Sequence, residues 1–181
     1  MKWTEVPNID KFPFHIRQRQ LNFCIPASIE VVTKYFRHES PVTQEYLWTQ
    51  YALACRDRNV TLQNINFKTI KELVLDVDPN YSWAESQHID RPELHDFDDL
   101  IRHIRHSIEN GLPHIVSLPV GTFWHMFTVL GYDDLNLRIH DPNPYEKSPR
   151  DIPLEKMLLD LQTLANAGVT DSLVIKPKLQ V

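Results

Sequence analysis

The first residue in this chain whose position suggests chemistry is a cysteine at the predicted start of a helix. Cys24 lies just ahead of the segment Ser28 to His38, whose apolar residues recur every three and four positions and so predict a buried helical face. Pro26 and a predicted cap at Asn22 agree with a helix that begins near Cys24. The helix dipole and the unpaired N–H groups of the first turn favour a thiolate there, which makes Cys24 a candidate nucleophile.

The cysteines also have a purely structural interpretation. A lone cysteine between Phe23 and Ile25 is typical of a small buried hydrophobe, and Cys55, which follows alanines on a predicted helix, is interpreted as packing. Neither cysteine has a Cys or His at zinc-ligand spacing, and the pair His103 and His106 is interleaved with arginines, as on a solvated face. We therefore expect no metal and no cofactor.

A histidine and an acid that could activate the thiol follow much later in the chain. Alternating apolar residues predict three strands, over 114–119, 124–132 and 137–141. His125 lies at the start of the second strand and Asp141 ends the third. Together with Cys24 they would supply a nucleophile, a base that takes its proton and an acid that fixes the tautomer of the base, which is what thiol acyl transfer requires.

The register of the hairpin that carries them decides whether His125 and Asp141 can meet. A turn centred on Asp134 puts Asp141 opposite Phe127, on the same face as His125. A turn centred between Asp133 and Asp134 puts His125 and Asp141 on opposite faces. The sequence leaves both registers open, and only the first permits a triad. Asn143 is the fallback partner for His125 if Asp141 faces the wrong way.

Apolar spacing predicts further helices and one more strand. The helices are expected from a cap at Thr43 to Arg56, from Phe67 to Leu75, from a cap at Asp96 or Asp98 to a left-handed Gly111, and from Pro153 to Leu161, with a strand over 172–175. Helices come first and a largely antiparallel sheet second, which is an α+β architecture.

The 181 residues are expected to form a single domain, 1–181. Residues 1–15 lack periodicity and are interpreted as an extended N-terminal arm. The polar segment 76–95 is interpreted as a surface insertion with a short strand over 81–84.

Composition and charge exclude several classes of function. The net charge is -5 and the basic residues are spread along the chain without a cluster, which argues against a nucleic-acid groove. No apolar run approaches the roughly 20 residues of a membrane-spanning helix, and the first residues lack the apolar core of a signal peptide. We therefore expect a cytoplasmic protein with reduced thiols and no nucleic-acid or membrane partner; nothing in the sequence indicates its oligomeric state.

With these residues in place, the chain resembles the papain-like cysteine peptidases. It is most similar to the double-glycine leader peptidases of bacteriocin export systems and their stand-alone relatives, in which a Gln precedes a Cys-Gly-Pro-Ala or Cys-Gly-Ala-Ala helix start. A later strand in that group reads His-Phe/Trp-Val-Val-Val-x-Gly-Tyr-Asp-Asp and runs on to an Asp-Pro. The matching segments here are Cys24-Ile25-Pro26-Ala27, His125 to Asp134 and Asp141-Pro142.

The resemblance implies a papain-like fold and a role for each matching residue. Cys24 would be the nucleophile, His125 the general base and then acid, and Asp141 the residue that orients His125. The family's glutamine helps to form the oxyanion hole; Gln18 is the better match for it and Gln20 the alternative.

The implied activity is that of a cysteine peptidase or related amide hydrolase acting on a peptide or protein through a thioester. Two alternatives share the same residues: an acyltransferase of the transglutaminase or peptide-ligating kind, and a catalytically silent member that binds peptides. The silent alternative rests on Ile25, which stands where the family usually has Gly and would crowd the oxyanion hole or narrow the cleft. The leader peptidases are fused to a transporter, and bacteriocin export is not carried over because this chain has no phosphate-binding Gly-Lys-Ser/Thr motif.

Overall fold

The computed structural model describes residues 2–20, 23–57, 81–90, 94–120, 123–164 and 169–177. Within these residues the helices are α1 (Cys24–Phe36), α2 (Gln44–Asp57), α3 (Leu94–Glu109) and α4 (Leu154–Leu164), with a 3₁₀ turn at Ile9–Lys11. The strands are β1 (Thr4–Glu5), β2 (Tyr81–Asp90), β3 (His114–Val120), β4 (Phe123–Tyr132), β5 (Asn136–His140), β6 (Arg150–Pro153) and β7 (Val169–Pro177).

The strands form one seven-stranded sheet in the order β2-β7-β3-β4-β5-β6, and β1 pairs with β4. Each of these pairings is antiparallel. The α+β class predicted from the sequence is therefore confirmed. No helix in the described part of the chain is both long enough and apolar enough to cross a lipid bilayer.

The helix that begins at Cys24 packs on the middle of this sheet. α1 contacts β4, and its inward residues Ile29 and Val32 belong to the same buried cluster as Val116, Val129 and Ile139 of β3, β4 and β5. This is the packing that the apolar spacing of the helix predicts. Each Å² of apolar surface buried in this contact contributes about 25 cal/mol to stability, and this burial holds the helix layer on the sheet.

Local sequence signals place most helix ends correctly. Thr43 caps α2, since its Oγ1 accepts the N–H of Tyr46 at 3.2 Å, and Gly111 has φ of +75° just beyond the end of α3. At α1 the cap position is held by Phe23, which makes no side-chain cap hydrogen bond; Asn22 lies outside the described residues. α1 begins at Cys24 as predicted.

The predicted caps of α3 are wrong. Asp96 and Asp98 both lie inside this helix, which begins at Leu94. The apolar stripe of the helix starts with Phe97, which is buried together with Leu100, so the helix must already be formed around Phe97.

Of three other predictions, two differ from the structure and one lies outside the described residues. The strand expected over 81–84 runs to Asp90 because it pairs with β7 along its length at the edge of the sheet. Pro153 ends β6 instead of starting the last helix, which begins at Leu154, and β6 itself was not predicted. The helix expected at 67–75 lies outside the described residues.

The β4–β5 hairpin reaches the register that a triad needs by an unexpected route. Asp133 Oδ1 accepts the N–H groups of Leu135 and Asn136 at 2.8 and 2.7 Å, and the strands first pair as Tyr132 with Leu137. This turn is centred between residues 134 and 135, later than either centre considered above. Carried along the strands unchanged, its register would put Asp141 opposite Thr128, on the face away from His125.

A bulge corrects the register. Gly131 pairs with Arg138, but Val129 pairs with Ile139, so β4 contains one extra residue, Leu130. From there on Thr128 pairs with His140, which places Asp141 opposite Phe127. The carbonyl of Leu130 is not left unpaired, because it accepts the N–H of Val6 at 2.8 Å.

The N-terminal arm therefore supports the bulge. β1 pairs Thr4 with Tyr132 and Glu5 with Gly131. A Cβ atom on Gly131 would lie 2.8 Å from Cγ of Glu5 and 2.9 Å from the carbonyl oxygen of Thr4, so only glycine permits this close approach. Arg138, which pairs with Gly131 on the other side, donates from Nη1 to Oε1 of Glu5 at 2.5 Å.

We expect Gly131→Ala to lower the free energy of unfolding by about 1–3 kcal/mol, because the added Cβ forces β1 away from the bulge. It should also slow the chemistry of Cys24 by disturbing the register of β4 and β5. Urea unfolding with a parallel thiol-reactivity assay would test both effects. Gly111→Ala strains a positive φ and presses on Pro7, next to Val6, so it should also cost stability and is no control for the bulge.

Candidate active site

Cys24 is the first residue of α1 and carries a free, half-buried thiol. Its position at the helix N-terminus exposes the sulfur to the positive end of the dipole, as the sequence predicted. Its side chain packs against the hydrophobic core and lies near enough to His125 for its charge to raise the pKa of that histidine. The side chain of Cys55 lies outside the described residues.

His125 lies between the thiol and a carboxylate. Its Nε2 is 2.6 Å from Oδ1 of Asp141, so Nδ1 is the ring nitrogen left to serve Cys24. The ring stands edge-on to Phe127, with centroids 4.7 Å apart and an interplanar angle of 88°. These contacts from two sides hold the imidazole in one orientation.

Asp141 is buried, and both of its carboxylate oxygens are bonded. Oδ1 accepts from His125 and from the backbone N–H of Asn143 at 2.9 Å, and Oδ2 accepts from Nη2 of Arg150 at 2.6 Å. Its carbonyl oxygen accepts from Nη1 of Arg17 at 2.5 Å. A buried carboxylate this fully bonded stays ionised and fixed in position.

The charges of these groups stabilise one another. Burial alone would lower the pKa of His125, but the hydrogen bond to Asp141 and the negative charges of Asp141 and Cys24 outweigh it and raise the pKa to about 9. Burial would likewise raise the pKa of Asp141, yet the bonds from His125 and Asn143 and the charges of His125 and Arg150 bring that pKa below its ordinary value. The site therefore carries an imidazolium at neutral pH.

The two glutamines suggested for the oxyanion hole differ in their surroundings. Gln18 is half-buried, and its N–H donates to the carbonyl of Pro142 at 2.8 Å, which ties it to the residue after Asp141. Gln20 is exposed, and its carbonyl accepts the N–H of Phe23 at the start of α1. These surroundings favour Gln18 as the residue held beside the site.

The structure also shows the contacts of Asn143 and Ile25, two further residues named in the sequence analysis. The side chain of Asn143 accepts the N–H of Tyr145, so it is Asp141 that contacts His125, and Asn143 contributes only its backbone N–H. Ile25 is half-buried and packs against the hydrophobic core. No group of three or more potential metal ligands occurs among the residues with described placement.

Sequence reasoning missed Arg150, whose guanidinium bonds Asp141 and also lies 5.8 Å from the centroid of the Phe127 ring. It missed His140 as well. Nε2 of His140 lies 3.0 Å from the carbonyl oxygen of Ile16 and Nδ1 lies 2.6 Å from Oγ of Ser148. No local signal marks either residue, because their partners are brought together by the sheet and by the loop that follows Asp141.

Comparisons with known proteins give the family and the fold of the chain. The model of the Peptidase_C39-like family matches residues 5–164. The chain belongs to this family. No curated protein sequence matches it.

Two solved structures share the fold of this Peptidase_C39-like protein. A structure described as a C39-like peptidase from Bacillus anthracis is 14% identical, with a TM-score of 0.59, and the match covers 98% of this chain and 100% of that one. The peptidase domain of Streptococcus ComA, a bifunctional ABC transporter involved in quorum sensing, is 20% identical, with a TM-score of 0.54 and coverage of 88% and 96%. At these identities the likenesses establish the papain-like fold, and together with the family they support a cysteine-peptidase-like protein.

We expect alkylation of Cys24 by iodoacetamide to be fast and nearly constant between about pH 5 and 8. His125 remains protonated up to its pKa of about 9 and stabilises the thiolate over this range. His125→Ala should remove the plateau, so that the rate rises about tenfold per pH unit as for a simple thiol. Asp141→Asn should weaken the plateau.

Mass spectrometry of the labelled peptides would measure both cysteines at once, with Cys24→Ser reporting the residual reaction of Cys55. A rate that follows an ordinary thiol and is indifferent to His125→Ala would contradict the ion-paired site.

A second prediction concerns acid stability. Burial is the main reason that the pKa values of His114 and His140 are lowered, to about 3 and about 4. The unfolded chain protonates these residues near pH 6.5 and the folded chain does not, so stability should fall as the pH drops below 6.5. Each histidine contributes up to about 1.4 kcal/mol per pH unit until its folded-state pKa is reached.

Urea unfolding at several pH values between about 4 and 7 would measure this slope. His140→Gln should reduce it by about half, whereas the same change at the exposed His38 should leave it unaltered. An equal slope in His140→Gln and in the wild type would contradict the assignment.

Proposed function

We propose that this chain is a cysteine peptidase or related amide hydrolase that uses Cys24, His125 and Asp141. The observation that carries the proposal is a thiol at a helix N-terminus beside one imidazole, whose Nε2 is hydrogen-bonded to a buried carboxylate. Membership of the Peptidase_C39-like family supports the same chemistry. Both the family match and the structural matches run across most of the chain, which supports one domain.

In this mechanism the thiolate of Cys24 attacks the carbonyl carbon of a peptide bond. The carbonyl electrons move to the oxygen, whose negative charge would be stabilised by the backbone N–H of Cys24 and by Gln18. His125, protonated at the start, gives a proton to the leaving amine as the C–N bond breaks, which leaves a thioester on the sulfur.

The second half of the reaction uses the neutral imidazole. His125 takes a proton from water, the resulting hydroxide attacks the thioester, and the C–S bond breaks to release a carboxylic acid and restore the thiolate. Asp141 bonds Nε2 throughout, so Nδ1 faces the sulfur in both steps. The fixed acid removes the cost of reorienting the ring between the two proton transfers.

Peptides or proteins are the proposed substrates, and the cytoplasm, where thiols stay reduced, is the proposed location. An acyltransferase would share the first half of the reaction and differ only in the acceptor that reaches the thioester. The packing of Ile25 against the hydrophobic core gives this side chain an anchor other than the cleft. We therefore favour the active enzyme over the silent peptide-binding member.

A library of internally quenched random octapeptides would test the proposal. The wild type should cleave a subset of the peptides, and Cys24→Ala should lower kcat/KM by at least about a thousandfold, because the nucleophile cannot be replaced. Asp141→Asn should cost less than His125→Ala, because it disturbs the orientation of the base without removing it.

Adding an amine acceptor separates hydrolysis from transfer, since a transferase would convert the thioester into a new amide detected by its mass. Binding without cleavage of any peptide, equal in the wild type and in Cys24→Ala, would favour the silent member.

A further inference from the structure

The segment that carries Gln18 has no regular secondary structure to hold it. It joins the N-terminal arm to α1, and a backbone of this kind keeps one conformation only through tertiary hydrogen bonds. An oxyanion hole requires its donors within a few tenths of an ångström of their place, so this segment must be fixed by something outside itself.

The side-chain amide of Gln44 makes bonds on both sides of Gln18. Its Nε2 donates to the carbonyl oxygen of Arg17 at 2.9 Å, and its Oε1 accepts the N–H of Arg19 at 3.1 Å. These are the two peptide groups that flank the Cα of Gln18. With the bond from the N–H of Gln18 to Pro142, the backbone is held from α2 on one side and from the Asp141-Pro142 segment on the other.

Gln44 is itself fixed. It is the first residue of α2 and is fully buried. Its N–H, one of the unpaired donors of the helix N-terminus, donates to Oε2 of Glu30 at 3.2 Å, and Oε1 of Glu30 is bonded by Nζ of Lys34 at 2.8 Å. Because Glu30 lies on α1, the helix that begins at Cys24 also anchors the amide that holds Gln18.

We infer that Gln44 is a positioning residue for the oxyanion hole, acting on the reaction only through Gln18. This inference rests on the proposed function, since it assigns a part in the same reaction to a residue outside the triad. A glutamine suits the task because its amide presents one donor and one acceptor side by side, the pair that two successive peptide groups require. A carboxylate or an aliphatic side chain of similar size supplies only one of them or neither.

The test compares Gln44→Met with the wild type on the fluorogenic peptide that the wild type cleaves fastest. Methionine keeps the volume and loses both bonds, so kcat should fall about 10- to 100-fold with KM changed less than about twofold, as for an interaction made in the transition state. The alkylation rate of Cys24 and its pH profile should stay as in the wild type, because the ion pair is untouched. A purely structural disturbance of α1 would change them.

A double-mutant cycle isolates the route of the effect. In a Gln18→Ala background, Gln44→Met should cost nothing further, because the group that it positions is already gone. Gln50→Met, on the same helix and half-buried, is the matched control and should leave kcat unchanged. Gln44→Glu, which keeps an acceptor for Arg19 but loses the donor to Arg17, should lower kcat in the same direction and serves if the methionine variant does not fold.

The outcomes separate this inference from the function on which it rests. Cleavage by the wild type with an unchanged kcat in both Gln44 variants, or an equal loss with and without Gln18, would overturn the inference and leave the peptidase intact. A wild type that cleaves none of the peptides would overturn both.

Discussion

The site depends on one buried carboxylate. Asp141 is 1% exposed, and an ionised group so placed is tolerated only if each of its oxygens has partners. The partners come from different parts of the chain: His125 from β4, Asn143 from the following loop and Arg150 from β6. Breaking a buried ionic contact by removing one partner costs several kcal/mol, about 3–5, so this requirement fixes the hairpin, the loop and the edge strand relative to one another.

The sequence predicted the roles of His125 and Asp141 in this arrangement but not the role of Arg150, nor the backbone feature that brings His125 and Asp141 together. Strand alternation and the Asp-Pro at the end of the third predicted strand suggest that His125 and Asp141 could share a face, with the register left open. The turn at Asp133 opposes this, since its own hydrogen bonds set a register in which they would not. The extra residue at Leu130 restores the pairing, and its carbonyl is satisfied by the N-terminal arm, far away in sequence. A bulge held by a distant strand leaves no periodic signal, and only Gly131 hints at it.

The same distinction between local and distant contacts explains which other elements the sequence predicted and which it did not. The helix that begins at Cys24 and the strands β3 to β5 follow from apolar periodicity, which burial on one face imposes residue by residue. β6, the full length of β2 and the roles of Arg150 and Gln44 depend on partners brought close only by the finished sheet. Polar residues such as these carry no pattern of their own, because a hydrogen bond constrains one pair and not a whole face.

Two histidines of the same hairpin are held in opposite protonation states. The carboxylate of Asp141 helps to raise the pKa of His125 to about 9, whereas burial lowers the pKa of His140, adjacent in sequence to Asp141, to about 4 although its bond to the carbonyl oxygen of Ile16 acts in the other direction. A carbonyl only accepts, so Nε2 of His140 carries the proton and Nδ1 accepts from the hydroxyl of Ser148. Strand alternation directs His140 and Asp141 to opposite faces of the sheet. One face thus holds the charged imidazole of His125 beside the thiol. The other face holds the neutral imidazole of His140, which donates to the carbonyl oxygen of Ile16, two residues before Gln18.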